Sequence, residues 1–193
     1  LRIHGNGFFF FFFRILQNRN TIEARIHVWD KSFRILSDNN AQIHDHVWEL
    51  HSTVLSGQLT HLHYGISDNG NDRVDIYSVG AADKNGMGEI LQENKSLELL
   101  GLYKMNVGSD YTFKAGQFHH TPIDQNAITI MTKLDDPTFS GQRPRVVCPH
   151  GEKPTDAFGF EQPCQEKLWS MFEAVALKCD DAAKHILIPM IPN

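Results

Sequence analysis

His44-Asp45-His46 and, further along, Gly108-Ser109-Asp110-Tyr111-Thr112-Phe113-Lys114-Ala115-Gly116-Gln117-Phe118-His119 are the stretches on which the reading of this chain turns. In the first, two imidazoles stand two residues apart in a segment that reads as strand over 42–47. Side chains alternate along a strand, so His44 and His46 project to one face and can grip one ion. Two imidazoles alone do not hold a metal, and a third donor must come from elsewhere. The candidates by position are Glu49, His51, His61, His63, His119, His120 and His150. The second stretch has two turn glycines, a short strand, and a histidine three residues after the second glycine.

Working outward, the middle of the chain reads as β. Ile22, Ala24, Ile26 and Val28 alternate with Glu23, Arg25 and His27, the pattern of a half-buried strand ending at Trp29. Short strands are further predicted over 42–47, 51–55, 59–66, 73–79, 97–107, 110–113 and 127–133. Turn residues separate them: Ser37 to Asn40, Ser56-Gly57, Ser67 to Asp72, Asp83 to Gly88 and Gly108-Ser109. Many short strands with this punctuation predict a sandwich or small barrel. The run Phe8 to Phe13 predicts a strand buried on both faces. It is too short for a membrane span, which needs about 20 apolar residues, and it lacks the cleavage site of a secretory signal. Leu168, Trp169, Phe172, Val175, Ala176 and Cys179 recur at helical spacing, so 162–179 is predicted as an amphipathic helix packed outside the β unit.

The two quoted stretches resemble the paired motifs of the cupin family. The first motif is met at His44, His46 and Gly57, with Asp38 in the place of its leading glycine. The second is met at Gly108, Gly116 and His119, with Lys114 in the proline place and Ile123 in the asparagine place. The resemblance spans roughly residues 22–133. It implies an all-β fold, a double-stranded β-helix (jelly-roll) barrel with the C-terminal helix outside. The 193 residues then form one domain, with a barrel core at about 22–133 and a helical extension at about 160–185.

The family's acidic ligand falls on Leu50 when counted back from Gly57 and on His51 when counted forward from His46. Strand parity from Gly57 turns Leu50, Ser52 and Val54 inward and His51 outward. The resemblance therefore implies a three-histidine site, His44, His46 and His119, similar to that of thiol dioxygenases within the superfamily. Glu49 would sit in the turn nearby as a fourth ligand, a hydrogen-bonding partner of the ligands, or a base.

Such a site leaves coordination positions open, and open sites are catalytic. With Fe(II), the favoured metal, substrate and O2 can meet at one ion, giving an oxygenase or dioxygenase of a small molecule. Ni, Mn, Zn or Cu in the same cage would point to an isomerase, epimerase or lyase. A non-catalytic ligand-binding cupin is the third reading. Trp48, Ser52, Val54, Phe118 and Met131 are the expected pocket lining.

Of the 11 histidines, His61 and His63 read as pocket lining or an exposed face, and His120 points outward by parity. His27 lies on the polar side of its strand, and His4, His150 and His185 read as surface. Cys148, Cys164 and Cys179 are too few and too widely spaced for a disulfide framework or a zinc knuckle. The net charge of −5, from 18 basic and 23 acidic residues, excludes a nucleic-acid or polybasic membrane surface. No GxSxG elbow, phosphate loop or GxGxxG occurs, and Gly86-Met87-Gly88 reads as a turn. The expected setting is cytoplasmic. A homodimer pairing outer strands is expected, with Phe8–Phe13 offering an apolar surface for it.

Overall fold

One strand, β5 (Trp48–Ser67, 20 residues), is paired along both edges and organises the chain. The structure is a computed structural model and describes all residues except 5–7, 18–19, 31–39, 80–87, 155–163 and 193. Elements before β5 are β1 (Arg2–Ile3), β2 (Phe8–Gln17), β3 (Asn20–Trp29) and β4 (Ile43–His44). After it come β6 (Arg73–Ser78), β7 (Ile90–Asn106), β8 (Asp110–Phe113), β9 (Phe118–His120), β10 (Ala127–Asp135) and β11 (Arg145–Pro149). Two helices follow, α1 (Gln165–Ala176) and α2 (Asp181–Leu187). The architecture is all-β, and every strand pairing among the described residues is antiparallel.

The first half of β5 lies between β10 and β8. Beyond β10 the sheet continues through β3 and β2 to β1. The second half of β5 lies between β7 and β9. From β7 the pairing runs through β6, β11 and β4 to β9, and so returns to β5. These pairings close a ring of strands.

The sequence predicts two strands broken at Ser56-Gly57, but the structure has one. Gly57 adopts φ 73°, and the register with β10 slips there, Ser56 facing Ile128 while Val54 faces Thr129. Leu55, left without a partner between Val54 and Ser56, is therefore a β-bulge next to the turn residues, which bends β5 and lets it serve both sheets. A Cβ at Gly57 would lie 2.0 Å from the carbonyl oxygen of Asn126. Other boundaries differ too. β7 starts at Ile90, well before residue 97, and β4 is only two residues long, leaving His46 outside any strand. β11 carries no alternation because both its faces are buried: Val146 and Cys148 pack with Ala41 and Tyr77, while Val147 packs with Val74, Ile76 and Phe118. It lies beyond the expected 22–133 core, as do β1 and β2.

The β2–β3 hairpin shows how the Phe run is buried. Phe9 and Phe11 pack with Ile26, Val28 and Ile128 against Leu168, Phe172, Val175 and Leu187 of the helices. Phe8 and Phe10 turn the other way and pack with Trp29. Phe12 is exposed. Phe8–Phe11 are thus covered within the chain. The helices lie outside the β unit, as the apolar stripe predicts: α1 falls within the expected 162–179, and α2 follows it as a second, short helix. Asp180 caps α2, accepting from the Ala183 amide at 2.8 Å, and receives the Ser56 hydroxyl at 2.8 Å, which ties the helical layer to the bulge. Among the described residues no helix is long and apolar enough to cross a membrane. The Gly86-Met87 turn, the Asp38 position and the first residues of the expected helix lie outside the described residues.

Two substitutions test this account. Gly57→Ala combines a left-handed backbone, about 1–2 kcal/mol for an L residue, with a backbone clash; its urea midpoint should fall by the equivalent of at least 2 kcal/mol or so. Phe172→Ala, at a fully buried position, should cost about 3–5 kcal/mol by the same measurement.

Candidate metal centre

β4 and β9 are short, but they pair at a single telling position: His44 faces His119 across the ladder. His46 lies two residues beyond His44, its ring stacked on Trp48 at 4.1 Å between centroids. Ligand atoms of His44, His46 and His119 all lie within 4.8 Å of one another, close enough to share one ion. The chemistry of the donors fits a metal. His44 Nδ1 is 2.9 Å from the Gln42 carbonyl oxygen, and His119 Nδ1 is 3.0 Å from that of Gln117. A carbonyl only accepts, so each Nδ1 carries the hydrogen and each Nε2 keeps its lone pair. Burial pushes all three imidazoles below their usual pKa, His46 and His119 most strongly because neighbouring imidazoles add to it, while the Gln42 carbonyl and Asp45 work against it at His44. The free rings are therefore neutral, the form a cation needs.

A buried ion pair holds the two histidine-bearing segments together. Asp45 is 2% exposed and accepts from the Arg145 amide at 2.6 Å and from Arg145 Nε at 2.7 Å. The same guanidinium donates to the Gly116 carbonyl at 3.3 Å, and the Gly116 amide donates to the His46 carbonyl at 2.7 Å. Arg145 thus clamps the His44–His46 segment to the turn that leads into His119. Sequence reading missed Arg145; the only hint was an acid placed between two imidazoles.

The three rings open on a partly open cavity of about 50 Å³, room for about three to five water-sized groups. Phe8, Trp29, Trp48, Leu50, Phe113 and Met131 supply apolar walls; His4, Arg25, His27, Ser52, His61, Tyr111 and Thr121 supply polar ones. Of the expected lining, Trp48, Ser52 and Met131 are there. Val54 and Phe118 are buried elsewhere.

Glu49 does not join the cluster. Along β5, Leu50 and Ser52 face the cavity and Glu49 points the other way, its carboxylate 2.7 Å from His51 Nε2. The same alternation carries His51 outward. His4, read from sequence as a surface position, and His27, read as lying on the polar side of its strand, both line the cavity. The polar side of β3 faces inward, while its apolar side is covered by the helices. Burial drives the His27 pKa to about 3. His63 is 3.0 Å from the Gln117 amide, outside the lining, and His120 is also outside it. His150 is paired with Asp75 at 2.8 Å.

Neither a protein-family model nor a curated protein sequence matches the chain. Several solved structures are similar over part of it, among them the two that follow. One is hydroquinone 1,2-dioxygenase PnpCD in complex with Cd2+ and 4-hydroxybenzonitrile, with 11% identity, TM-score 0.33, and coverage of 60% of this chain and 59% of that one. The other is a hypothetical protein from Leishmania major, with 9% identity, TM-score 0.33, and coverage of 68% and 74%. The chain thus spans less than two thirds of the dioxygenase chain.

The clamp and the buried rings each have a measurable consequence. Asp45→Ala leaves Arg145 without its buried partner and frees the histidine segment. Metal affinity, titrated by calorimetry, should fall about 10–100-fold, with a loss of about 3 kcal/mol in stability. In the metal-free protein, His27 and His61, both held at about 3, stay uncharged while their unfolded counterparts protonate below about 6.5. Stability is then full above that value and declines as pH falls toward 3, by up to about 1.4 kcal/mol per pH unit for each ring. His27→Gln should flatten the decline in urea midpoints between pH 6.5 and 4 by one ring's share.

Proposed function

We propose that the chain is a metal-dependent cupin enzyme, an Fe(II) oxygenase or dioxygenase of a small molecule, with His44, His46 and His119 as the metal ligands. The observation that carries the reading is the convergence of three neutral imidazoles on one buried point. When bound, Fe(II) supplies a coordination sphere in which O2 and an organic substrate meet, chemistry no side chain provides. The chain's own residues supply the setting. Gln42 and Gln117 carbonyls fix the tautomers of two ligands, Trp48 backs the third, and Arg145 fixes the spacing between segments. The apolar walls exclude bulk water, which strengthens every polar interaction inside.

A second observation favours oxygenation over isomerisation or lyase chemistry. Those reactions need a general base, and among the described residues no carboxylate lines the cavity. The lining imidazoles outside the ligand set are poor bases, with His27 and His61 at about 3 and His4 also well below its ordinary value. Proton abstraction at neutral pH works best from a group titrating near that pH.

The test starts with elemental analysis of the protein as purified, followed by chelation and reconstitution with Fe(II). O2 uptake is then recorded with small thiols and small acids as candidate substrates. Iron-dependent uptake is expected, and turnover with Zn, Ni or Mn but not Fe would overturn the oxygenase reading. His46→Ala and His119→Ala should each lose bound metal while the far-ultraviolet circular dichroism of the strands is unchanged. Full metal content in either variant would remove the assigned site.

A further inference from the structure

His61 is 1% exposed and lines the cavity, and its Nε2 is a buried polar atom with no hydrogen-bond partner among the described residues. Its Nδ1 is engaged, 2.7 Å from the Thr121 hydroxyl, so the ring is oriented and its second nitrogen is left for something else. A buried polar atom without a partner is destabilising, because it has given up its hydrogen bond to water. A group of this kind facing a cavity marks a place where a ligand atom can satisfy it.

His61 is not a further member of the imidazole cluster. The Phe113 ring stands between them, stacked on His119 at 4.2 Å on one side and edge-on to His61 at 5.0 Å on the other. The cavity thus has two poles: the three candidate metal ligands at one, His61 at the other. The groups around His61 are uncharged at neutral pH, including His63, which acts on it and whose own pKa burial lowers. Tyr111 lies against its ring at 4.3 Å, and burial raises the Tyr111 phenol to about 12 despite hydrogen bonds with Ser52 and Thr129. Thr121 and Ser52 carry no charge. Arg25, the cationic residue of the lining, is bound to Glu23 at 2.6 Å and lies over Trp48 at the metal pole.

We propose that His61, oriented by Thr121, is the specificity-determining group of the cavity and receives an uncharged hydroxyl, carbonyl or amide end of the small molecule whose other end meets the imidazole cluster. The orphaned Nε2 supplies one hydrogen bond to that end. A carboxylate or ammonium at the same place would be stripped of water with no counter-charge beside it, which disfavours charged ends strongly. The inference rests on the cluster reading for the ligand's far end only.

The experiment uses the full chain without metal and three four-heavy-atom probes of one shape: acetamide, acetate and acetamidinium. The His61 Nε2 resonance is followed by nitrogen-15 NMR and assigned by its absence in His61→Gln. Acetamide should displace that resonance and bind at least tenfold more tightly than either ion. His61→Phe should lose tenfold or more of acetamide affinity, while His61→Gln, which retains a polar end, should recover part of it. Acetate or acetamidinium binding as well as acetamide would overturn the proposal. So would an unmoved Nε2 resonance in the wild type, which can be read even if a variant does not fold. Because no metal is present, failure here leaves the three-histidine reading standing. Failure of metal binding, in turn, leaves this titration readable.

Discussion

Six imidazoles can line one cavity only while they are uncharged, and the structure is built to keep them so. His4, His27, His44, His46, His61 and His119 all face the cavity, and desolvation is the leading cause of the depressed pKa of each. That desolvation is supplied by aromatic and aliphatic side chains from several strands, with the β2–β3 hairpin and its helical backing closing one side. The rings' repulsion when charged becomes, when neutral, a set of lone pairs pointed at a common centre. Closure of the strand ring, burial of the rings and readiness for a cation are thus one condition.

Much of this was legible in the sequence, and the limits have physical causes. Strand parity paired His44 with His46, His119 was added by the resemblance of its stretch to the second cupin motif, and the ligand atoms of the three do converge. Glu49 could not be placed by the same parity, since the acidic position of the motif that the stretch resembles falls on Leu50 by one count and on His51 by the other; the structure turns Glu49 outward onto His51. Ser56-Gly57 announced a special backbone, but left-handed glycine serves turns and bulges alike, and only the partner strand distinguishes them. His27 misled because amphipathic alternation tells which residues share a face, not which face looks inward. A helix outside the sheet and a polar cavity inside reverse the usual assignment. His4 follows a two-residue strand, too short to have a pattern.

The role of Arg145 was invisible for a different reason. Nothing local marks it; its value comes from Asp45, 100 residues earlier, and from a backbone carbonyl at Gly116. Charge pairs of such separation leave no trace in periodicity or motif. In the folded chain the same residue reaches both segments at once.

That long reach bears on how the protein is made. His44 and His119 come together only when β4 and β9 are flanked by β5 and β11, and the clamp is complete only once residue 145 has joined. The centre therefore belongs to the most non-local part of the topology, the part that pays loop-closure entropy last and forms slowly. During synthesis, β5 and its early partners can pair long before the imidazoles have a fixed spacing. An emerging chain would pass through a stage with strands in place and the histidines still apart, so ion capture would be an event of completed folding and not a nucleus for it.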